Sequence, residues 1–442
     1  MMDLVHAALR AVDPAQAVKT WVRREGDVLH VDGQSYDLMA YERVFIVGGG
    51  KAGAPMAQAL CEILGDCFTA GWVNVKHGHL VDAPLPSALT LCEASHPIPD
   101  EAGQRGARRM LDLVRHSTER DLVFCLISGG GSALMPAPVP GVSLADLQAL
   151  TDTLLRCGAT INEINTVRKH CSQIKGGQLA RAAAPASIVA LILSDVVGNP
   201  LDVIASGPTV PDPTTFGDAY DVFKKYEIID KVPSTIFEWM KAGMRVQVAS
   251  CDLVAETPKP GDHIFDCVQN VIVGSNALAA RAAQAQAEAA GMHALILSTY
   301  IEGEAREVAR AMAGIAKSLV VEGWPLPRPA CVIAGGETTV TLRGDGKGGR
   351  NQELALAAAI ALDGWPGVTL AALATDGTDG PTDAAGAIVD GTTVRRAAGF
   401  GLDAGDYLMR NDAYRFFDSI GGLIRTGPTN TNVNDLLFIL TE

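Results

Sequence analysis

The stretch that decides the fold is "VFIVGGGKAGAPM", residues 44–56, where an apolar run ends in three glycines and a helix-like pattern follows. A second stretch, "CLISGGGSALM" at residues 125–135, has the same layout. Glycine weakens regular structure, so three in a row predict a loop whose backbone must approach something closely. In open α/β sheets, ligands bind beyond the carboxyl ends of the strands, and a bulky anion can approach bare N–H groups there.

Short apolar runs alternate with longer helical patterns on both sides of these loops. Runs such as "LVFCLI" and "IVALIL" are continuously apolar, which is typical of strands buried on both faces of a parallel sheet. The sequence therefore predicts an α/β protein with helices on both faces of a mostly parallel sheet. Predicted strands cover 44–47, 71–75, 89–93, 122–127 and 188–194, and predicted helices cover 52–66, 101–116, 143–157, 172–184, 218–227 and 234–244.

A second strand–helix series begins near residue 263, so we place a domain boundary near 235–245 and take it at 238/239. The length of 442 residues suits two large domains. The predicted domains are 1–238 and 239–442, with no long flexible linker between them.

Composition excludes several classes of function. The formal net charge of −14 argues against a nucleic-acid binder, which needs a basic face. No apolar run approaches ~18 residues, so we expect no membrane span, and the start "MMDLVHAALRAVDP" predicts a helix and not a signal peptide. Nine irregularly spaced cysteines without a C-x-x-C pair favour buried thiols, such as Cys125 and Cys331, in a cytoplasmic protein.

The glycine loops carry the first candidate site residues. Lys51 directly follows the first triplet, where it could reach a phosphate; alternatively it is a solvated lysine at a helix start, an unfavourable place for a cation. Ser128 and Ser132 bracket the second triplet, either as further donors to an anion or as turn and capping residues. The loop residues assigned to cofactor binding are Gly48, Gly49, Gly50, Ser128, Gly129, Gly130, Gly131 and Ser132.

A dinucleotide site is the first alternative for these loops. Gly48, Gly50 and Gly53 formally match G-x-G-x-x-G, but that pattern also needs an acidic residue about 20 positions on for the ribose. The next predicted strand ends in Lys76 and His77 instead. This counts against NAD and less strongly against NADP.

Two further segments of the N-terminal half hold candidates. Residues 161–180 form the strongest basic cluster, which either focuses anions or is a solvated helix face, and Lys175 is its assigned cofactor-binding residue. Asp195 ends a buried strand, where a carboxylate could hold Mg²⁺ or cap a turn, and Asn199 is a weaker cofactor-binding candidate. His96 follows another strand and could contact substrate or serve a turn.

The C-terminal half adds charged candidates. Arg350 opens a helix, where a cation is misplaced unless an anion or acid answers it, and Glu337 could provide that acid or serve a cofactor or metal. Asp376 and Asp379 follow a strand and are predicted metal ligands, with Asx-turn chemistry as the alternative.

Together, several segments resemble one family, the class II D-glycerate 2-kinases. The segments are "VGGGKA", "ISGGGSAL", "INEINTVRKHCSQIKGG", "LSDVVGNPLDVIASGPT", "AGGETTVTL…GGRNQE", "ATDGTDGPTDAAGA" and "GPTNTNVNDL". The resemblance implies a Rossmann-like N-terminal domain and a C-terminal α/β domain with a MOFRL segment at about 330–440. It also implies an active site in the cleft between the domains, with Lys51 and Arg350 as the catalytic cation pair.

The activity implied by the resemblance is transfer of the ATP γ-phosphoryl group to the 2-hydroxyl of D-glycerate, with Mg²⁺ as a further cofactor. The expected partners are therefore small molecules, not nucleic acid or membranes, and a homo-oligomer is compatible with the sequence. Two alternatives stay open: an NAD(P)H-dependent hydroxypyruvate reductase, a label that family members often carry, and a non-catalytic sensor of sugar acids or nucleotides.

Overall fold

The computed structural model of the chain describes residues 1–246 and 254–442. The chain forms two compact units. We call the first the parallel-sheet unit; it comprises Ala17–Ser194 and Asn199–Val273. The second, the mixed-sheet unit, comprises Met1–Gln16, Asp195–Gly198 and Gly274–Glu442. The N-terminal helix and a four-residue segment after Leu193 therefore belong with the C-terminal part of the chain.

A six-stranded sheet forms the centre of the parallel-sheet unit. Its strands are β4 (Arg43–Gly49), β5 (Ala70–Lys76), β6 (Leu89–Ala94), β7 (Asp121–Ile127), β8 (Ser187–Leu193) and β9 (Val268–Gly274). The spatial order is β6-β5-β4-β7-β8-β9, and β4, β5, β6, β7 and β8 pair in parallel. Renumbered from β4, this is the order 3-2-1-4-5-6 of the Rossmann fold.

A small antiparallel sheet precedes the large one. It contains β1 (Val22–Glu25), β2 (Val28–Val31) and β3 (Gln34–Asp37), joined by tight turns. Each of these strands has only four residues, and β1 and β3 are largely polar, so the apolar pattern of the sequence does not predict this sheet.

Helices join the strands of the parallel sheet. Several begin at capping boxes, in which a Ser or Thr and an acidic residue three positions later satisfy the free N–H groups; Ser143 with Asp146 is one example. The helices up to residue 246 are α1 (Met2–Ala11), α2 (Pro14–Trp21), α3 (Gly53–Leu64), α4 (Glu101–Val114), α5 (Gly131–Leu134), α6 (Leu144–Arg156), α7 (Ile161–His170), α8 (Gln178–Ala183), α9 (Phe216–Lys225) and α10 (Ser234–Val246).

The mixed-sheet unit contains a second six-stranded sheet. Its strands are β10 (His293–Glu304), β11 (Ala330–Thr339), β12 (Val368–Ala374), β13 (Gly386–Asp390), β14 (Leu423–Ile424) and β15 (Asp435–Thr441). The order is β10-β11-β15-β12-β13-β14, in which only the β10–β11 pair is parallel among the described pairings. The C-terminal strand β15 thus lies at the centre of this sheet.

Alanine-rich helices pack on the mixed sheet. The helices are α11 (Asn276–Ala289), α12 (Ala305–Glu322), α13 (Arg350–Ala361), α14 (Thr393–Ala398), α15 (Ala404–Met409) and α16 (Ala413–Ile420). Nine consecutive residues of α13 after Arg350 are buried, and alanine lets this helix approach its neighbours closely.

The predicted α/β class and the five predicted strands of the first sheet are confirmed. Cys125 and Cys331 are buried as expected, and burial raises the pKa of each thiol to about 12. Within the described ranges, no helix combines the length and the apolar character that a membrane crossing requires.

The structure also differs from the sequence-based elements. Strand β9, expected to open the second series, lies in the first sheet, and the predicted helix at 172–184 begins only at Gln178. Helix α7, which holds most of the basic cluster, was not among the predicted elements. The domain boundary at 238/239 stays a prediction. The two compact units are defined by packing and combine segments that are distant in the sequence.

Candidate active site

The first glycine triplet packs against the strand that leads to the second one. Gly48 and Gly50 have φ of 144° and 156°, in a region that side chains rarely adopt. A Cβ on Gly48 would lie 2.0 Å from the carbonyl oxygen of Leu126, and one on Gly50 would lie 2.0 Å from Oγ of Ser128. These two glycines are therefore required by the close approach of Leu126 and Ser128, whether or not a ligand binds.

The amides of the first loop are used within the protein. Gly50 N–H donates to the carbonyl of Asn74 at 3.1 Å, and Lys51 N–H donates to the carbonyl of Gly129 at 2.8 Å. Ala52 N–H donates to Oγ of Ser128 at 3.0 Å. The bare amides expected here are thus occupied. The assignment of Gly48, Gly49 and Gly50 to cofactor binding stays a prediction.

The second glycine loop keeps donors available. The N–H groups of Gly129 and Gly130 have no acceptor among the described residues, and Gly130, with φ of 81°, directly precedes α5. Ser128 is occupied by the amide of Ala52, and Ser132 Oγ is hydrogen-bonded to Ser206 Oγ at 2.9 Å. Two bare amides at the end of a central parallel strand can hold an anion.

Lys175 stabilises the second glycine loop through hydrogen bonds to its backbone. Its ammonium group is buried and donates to the carbonyls of Ser132 and Met135 at 2.8 and 3.3 Å. Burial, together with the nearby charge of Arg168, lowers the pKa of Lys175 to about 7. Gly131 lies in the same turn, where a Cβ would come within 2.8 Å of the carbonyl of Gly49. Lys175 therefore holds the loop in shape, and its contact with a cofactor stays a prediction.

Lys51 lies at the junction of the two loops. Its carbonyl accepts a hydrogen bond from Nδ1 of His79 at 3.1 Å. Among the described residues, no carboxylate lies within 4.0 Å of its ammonium group. A half-buried, unpaired lysine beside bare amides in an acidic protein is a favourable place for a phosphate.

Arg350 in the mixed-sheet unit has two acidic partners. Its Nε and Nη2 donate to the two carboxylate oxygens of Asp435 at 2.5 and 3.0 Å, and Nη1 donates to Glu337 at 2.6 Å. The other Glu337 oxygen accepts from the amide of Asn434 at 2.9 Å. Glu337 is thus an acidic partner of Arg350, as the sequence allowed. Asp435 was not predicted because it is the first residue of a buried strand.

The residues after Arg350 anchor the start of α13. The Asp379 carboxylate accepts from N–H and Nδ2 of Asn351 at 3.1 and 3.2 Å, and from N–H of Gln352 at 2.9 Å. Burial raises the pKa of Asp379, and these hydrogen bonds oppose that shift. Glu353 is buried and pairs with Arg306. Asp379 therefore caps the helix whose first residue is Arg350, and a metal bound by Asp379 would displace these donors.

The other predicted ligands lie in loops that follow strands. Asp376 accepts from N–H of Thr378 at 3.0 Å, the Asx-turn alternative. The carbonyl of Asp195 accepts from Nδ2 of Asn434 at 2.8 Å. Asn199, with φ of 55°, is in the loop after β8. Within residues 1–246 and 254–442, no group of three or more metal-ligating side chains is preassembled. The assignments of these residues stay predictions.

This chain matches two protein families and is similar to several known proteins. Residues 1–241 match a family described as a domain of unknown function, DUF4147, and residues 330–435 match the MOFRL family. A D-glycerate 2-kinase of Thermotoga maritima is 44% identical over 99% of this chain and 96% of its own length. A putative hydroxypyruvate reductase of Agrobacterium vitis is 44% identical over 90% of this chain and 87% of its own length.

The fold has a close counterpart among solved structures. The crystal structure of a glycerate kinase from Thermotoga maritima superposes with a TM-score of 0.88 at 42% identity. The match covers 100% of this chain and 98% of that chain. The similarity therefore includes both units and every residue discussed above.

Proposed function

The chain belongs to the glycerate kinase family, and from this premise we propose that it transfers the γ-phosphoryl group of ATP to the 2-hydroxyl of D-glycerate. The products are ADP and 2-phosphoglycerate. The observation that carries this conclusion is the similarity over nearly the whole chain to a D-glycerate 2-kinase. Both glycine loops, Lys51 and Arg350 lie in the part of the chain that this similarity covers.

Phosphoryl transfer depends mainly on positioning and on stabilising negative charge. Lys51 supplies a cation with no carboxylate within 4.0 Å among the described residues, so it is available to a phosphoryl oxygen. Arg350 is held by Asp435 on one edge and donates to Glu337 through Nη1. We infer that Lys51 and Arg350 each stabilise negative charge during phosphoryl transfer.

Mg²⁺ fits part of the predicted ligand set. A phosphate-bound Mg²⁺ ion needs only one or two protein carboxylates, so a preassembled cage is not required. Asp195 and Asp376 are half-buried, and Asp376 accepts its hydrogen bonds from Thr378 through Oδ1, whereas Asp379 is buried and both of its oxygens accept hydrogen bonds at the start of α13. We therefore infer that Asp195 and Asp376 would hold the ion, which supplies neutralisation of phosphate charge.

A coupled assay with D-glycerate, ATP and Mg²⁺ tests the proposal directly, with product analysis that separates 2-phosphoglycerate from 3-phosphoglycerate. Lys51→Ala and Arg350→Ala should each lower kcat by about 10³-fold or more, because each removes a cation from the transferring group. Lys231→Ala is the matched control, since this exposed lysine lies in a short turn at Ile229–Lys231. Turnover of the Lys51→Ala protein near the wild-type rate would remove Lys51 from the mechanism.

A hydroxypyruvate reductase is the second candidate, because relatives with that name also match. Two observations speak against it. Strand β5 ends in Lys76, where a dinucleotide site needs an acid for the ribose, and the first-loop amides that would hold the pyrophosphate already donate within the protein. Oxidation of NADH or NADPH by the purified protein in the presence of hydroxypyruvate would support this candidate instead.

A further inference from the structure

Three neighbouring parallel strands, β4, β5 and β6, deliver basic groups to one edge of the sheet. Lys76 ends β5 and pairs in register with Ala94, the last residue of β6. Lys51 lies two residues beyond β4, and His96 lies two residues beyond β6. The second glycine loop follows β7 at the same edge, because Gly49 pairs with Ile127.

This edge is also where the strand order reverses. The chain runs outward from β4 through β5 to β6, and then returns to β7 on the other side of β4. In doubly wound sheets such a reversal opens a crevice at the carboxyl ends of the two central strands. Both glycine loops and Lys51 lie at this reversal.

Contacts link the basic groups to the second glycine loop. The ring of His96 lies against Gly130, where an added Cβ would be 2.9 Å from Cδ2 of the imidazole. The ring of His79 hydrogen-bonds to the carbonyl of Lys51 at 3.1 Å. Burial is the largest cause that lowers the pKa of His96 to about 4, and the nearby Lys51, Lys76 and His79 lower it further.

The nearby acidic groups have other partners. Glu93 accepts a hydrogen bond from N–H of Gly78 at 2.7 Å, and Asp100 lies 3.9 Å from Nε2 of His77. In the described part of the chain, no carboxylate lies within 4.0 Å of the Lys76 ammonium group. Two unpaired lysines beside bare amides are a net positive site on a protein with a formal charge of −14.

We propose that this cluster binds the polyphosphate chain of the nucleotide, with Lys51, Lys76 and the amides of Gly129 and Gly130 as its ligands. The proposal rests on the proposed kinase function and adds Lys76 and His96 to the site. D-Glycerate carries a single negative charge, whereas the triphosphate carries several, so two unpaired ammonium groups favour the triphosphate. His96 is neutral at physiological pH and donates a hydrogen bond to a phosphate oxygen without competing for the lysines.

The test compares Lys76→Met with the control Lys231→Met, which removes the same charge from an exposed turn. Inorganic tripolyphosphate and ATP are titrated into each protein by calorimetry. We expect Lys76→Met to weaken both ligands about tenfold to 100-fold, as loss of one charge-assisted hydrogen bond predicts, and Lys231→Met to bind like wild type. Lys76→Arg keeps the positive charge and should retain most of the wild-type affinity. This variant keeps the test decisive if Lys76→Met folds poorly.

Kinetics distinguish the two substrates. Lys76→Met should raise KM for ATP and change KM for D-glycerate less than twofold. NMR of the imidazoles, assigned with His96→Gln, should show the pKa of His96 rising when tripolyphosphate binds between the cations. Unchanged tripolyphosphate affinity in Lys76→Met, or a KM increase confined to D-glycerate, would overturn the proposal.

The two proposals fail separately. Tripolyphosphate binding needs no turnover, so a wild-type protein that binds it through Lys76 without phosphorylating D-glycerate would overturn only the kinase function. A wild-type kinase whose tripolyphosphate affinity is independent of Lys76 would overturn only this inference.

Discussion

Replacing Arg350 by methionine tests whether its guanidinium acts in the reaction or only neutralises Asp435. The substitution leaves the Asp435 carboxylate, whose side chain is 10% exposed, without two donors. A broken buried pair costs about 3–5 kcal/mol. Solvent screening reduces this value because Arg350 is 30% exposed. Burial already raises the pKa of Asp435 to about 7, so the stranded carboxyl can also take up a proton. We therefore expect a loss of about 2 kcal/mol at neutral pH.

The double variant Arg350→Met/Asp435→Asn separates the two roles. Removing the stranded carboxylate should recover more than half of the lost stability, measured as the free energy of unfolding in urea, because no buried charge is left unpaired. Turnover should stay about 10³-fold or more below wild type, since the asparagine replaces nothing that the arginine does for the phosphoryl group. If the double variant regains turnover together with stability, Arg350 acts only as the partner of Asp435.

Two further predictions concern packing and pH. Gly48→Ala should cost at least about 3 kcal/mol, because its Cβ would meet the carbonyl of Leu126 at 2.0 Å, whereas Gly33→Ala, with φ of 79° in open space, should cost about 1 kcal/mol; equal melting temperatures would contradict this. Burial opposes ionisation of Glu256, but the contact with His170, the hydrogen bond from N–H of Phe216 and the charge of Lys259 together outweigh it and lower the Glu256 pKa from 4.5 to about 2. The stability that this carboxylate contributes is therefore present above about pH 4.5 and lost as pH falls towards 2. Glu256→Gln should lower stability at pH 7 and flatten the acid dependence in that window, and parallel unfolding curves for both proteins would contradict the assignment.

The parallel sheet could be predicted from the sequence because burial on both faces leaves continuous apolar runs. "LVFCLI" is one such run, and all seven residues of β7 are buried. The small sheet β1–β3 could not be predicted in this way, since strands such as Gln34–Asp37 have mostly exposed side chains. Strand β9 was identified from its apolar run, but its sheet was not, because pairing between distant strands depends on tertiary packing.

The site was only partly predictable, for a similar reason. Lys51 and Arg350 stand out in the sequence because each is a cation at the start of a helix, where it is electrostatically misplaced. Asp435 opens a buried strand and gives no such signal, although it accepts two hydrogen bonds from Arg350. In the sequence, Lys76 stands out only because it ends the strand after which a dinucleotide site would have an acidic residue for the ribose. Its position beside the second loop follows from the order and register of the strands, which residue types alone do not encode.

The two glycine triplets show why one pattern can have two causes. In the first, the positions of Gly48 and Gly50 are explained by the neighbouring chain, since an added Cβ would meet Leu126 or Ser128. Their close approach places the carbonyl of Gly129 where it accepts the amide of Lys51. The N–H groups of Lys51 and Ala52 in the first loop thus donate to the second loop and hold it in place. The N–H groups of Gly129 and Gly130 in the second loop have no acceptor among the described residues. Packing in one loop therefore orients the donors of the other, and a sequence pattern alone cannot separate the loop that supports from the loop that binds.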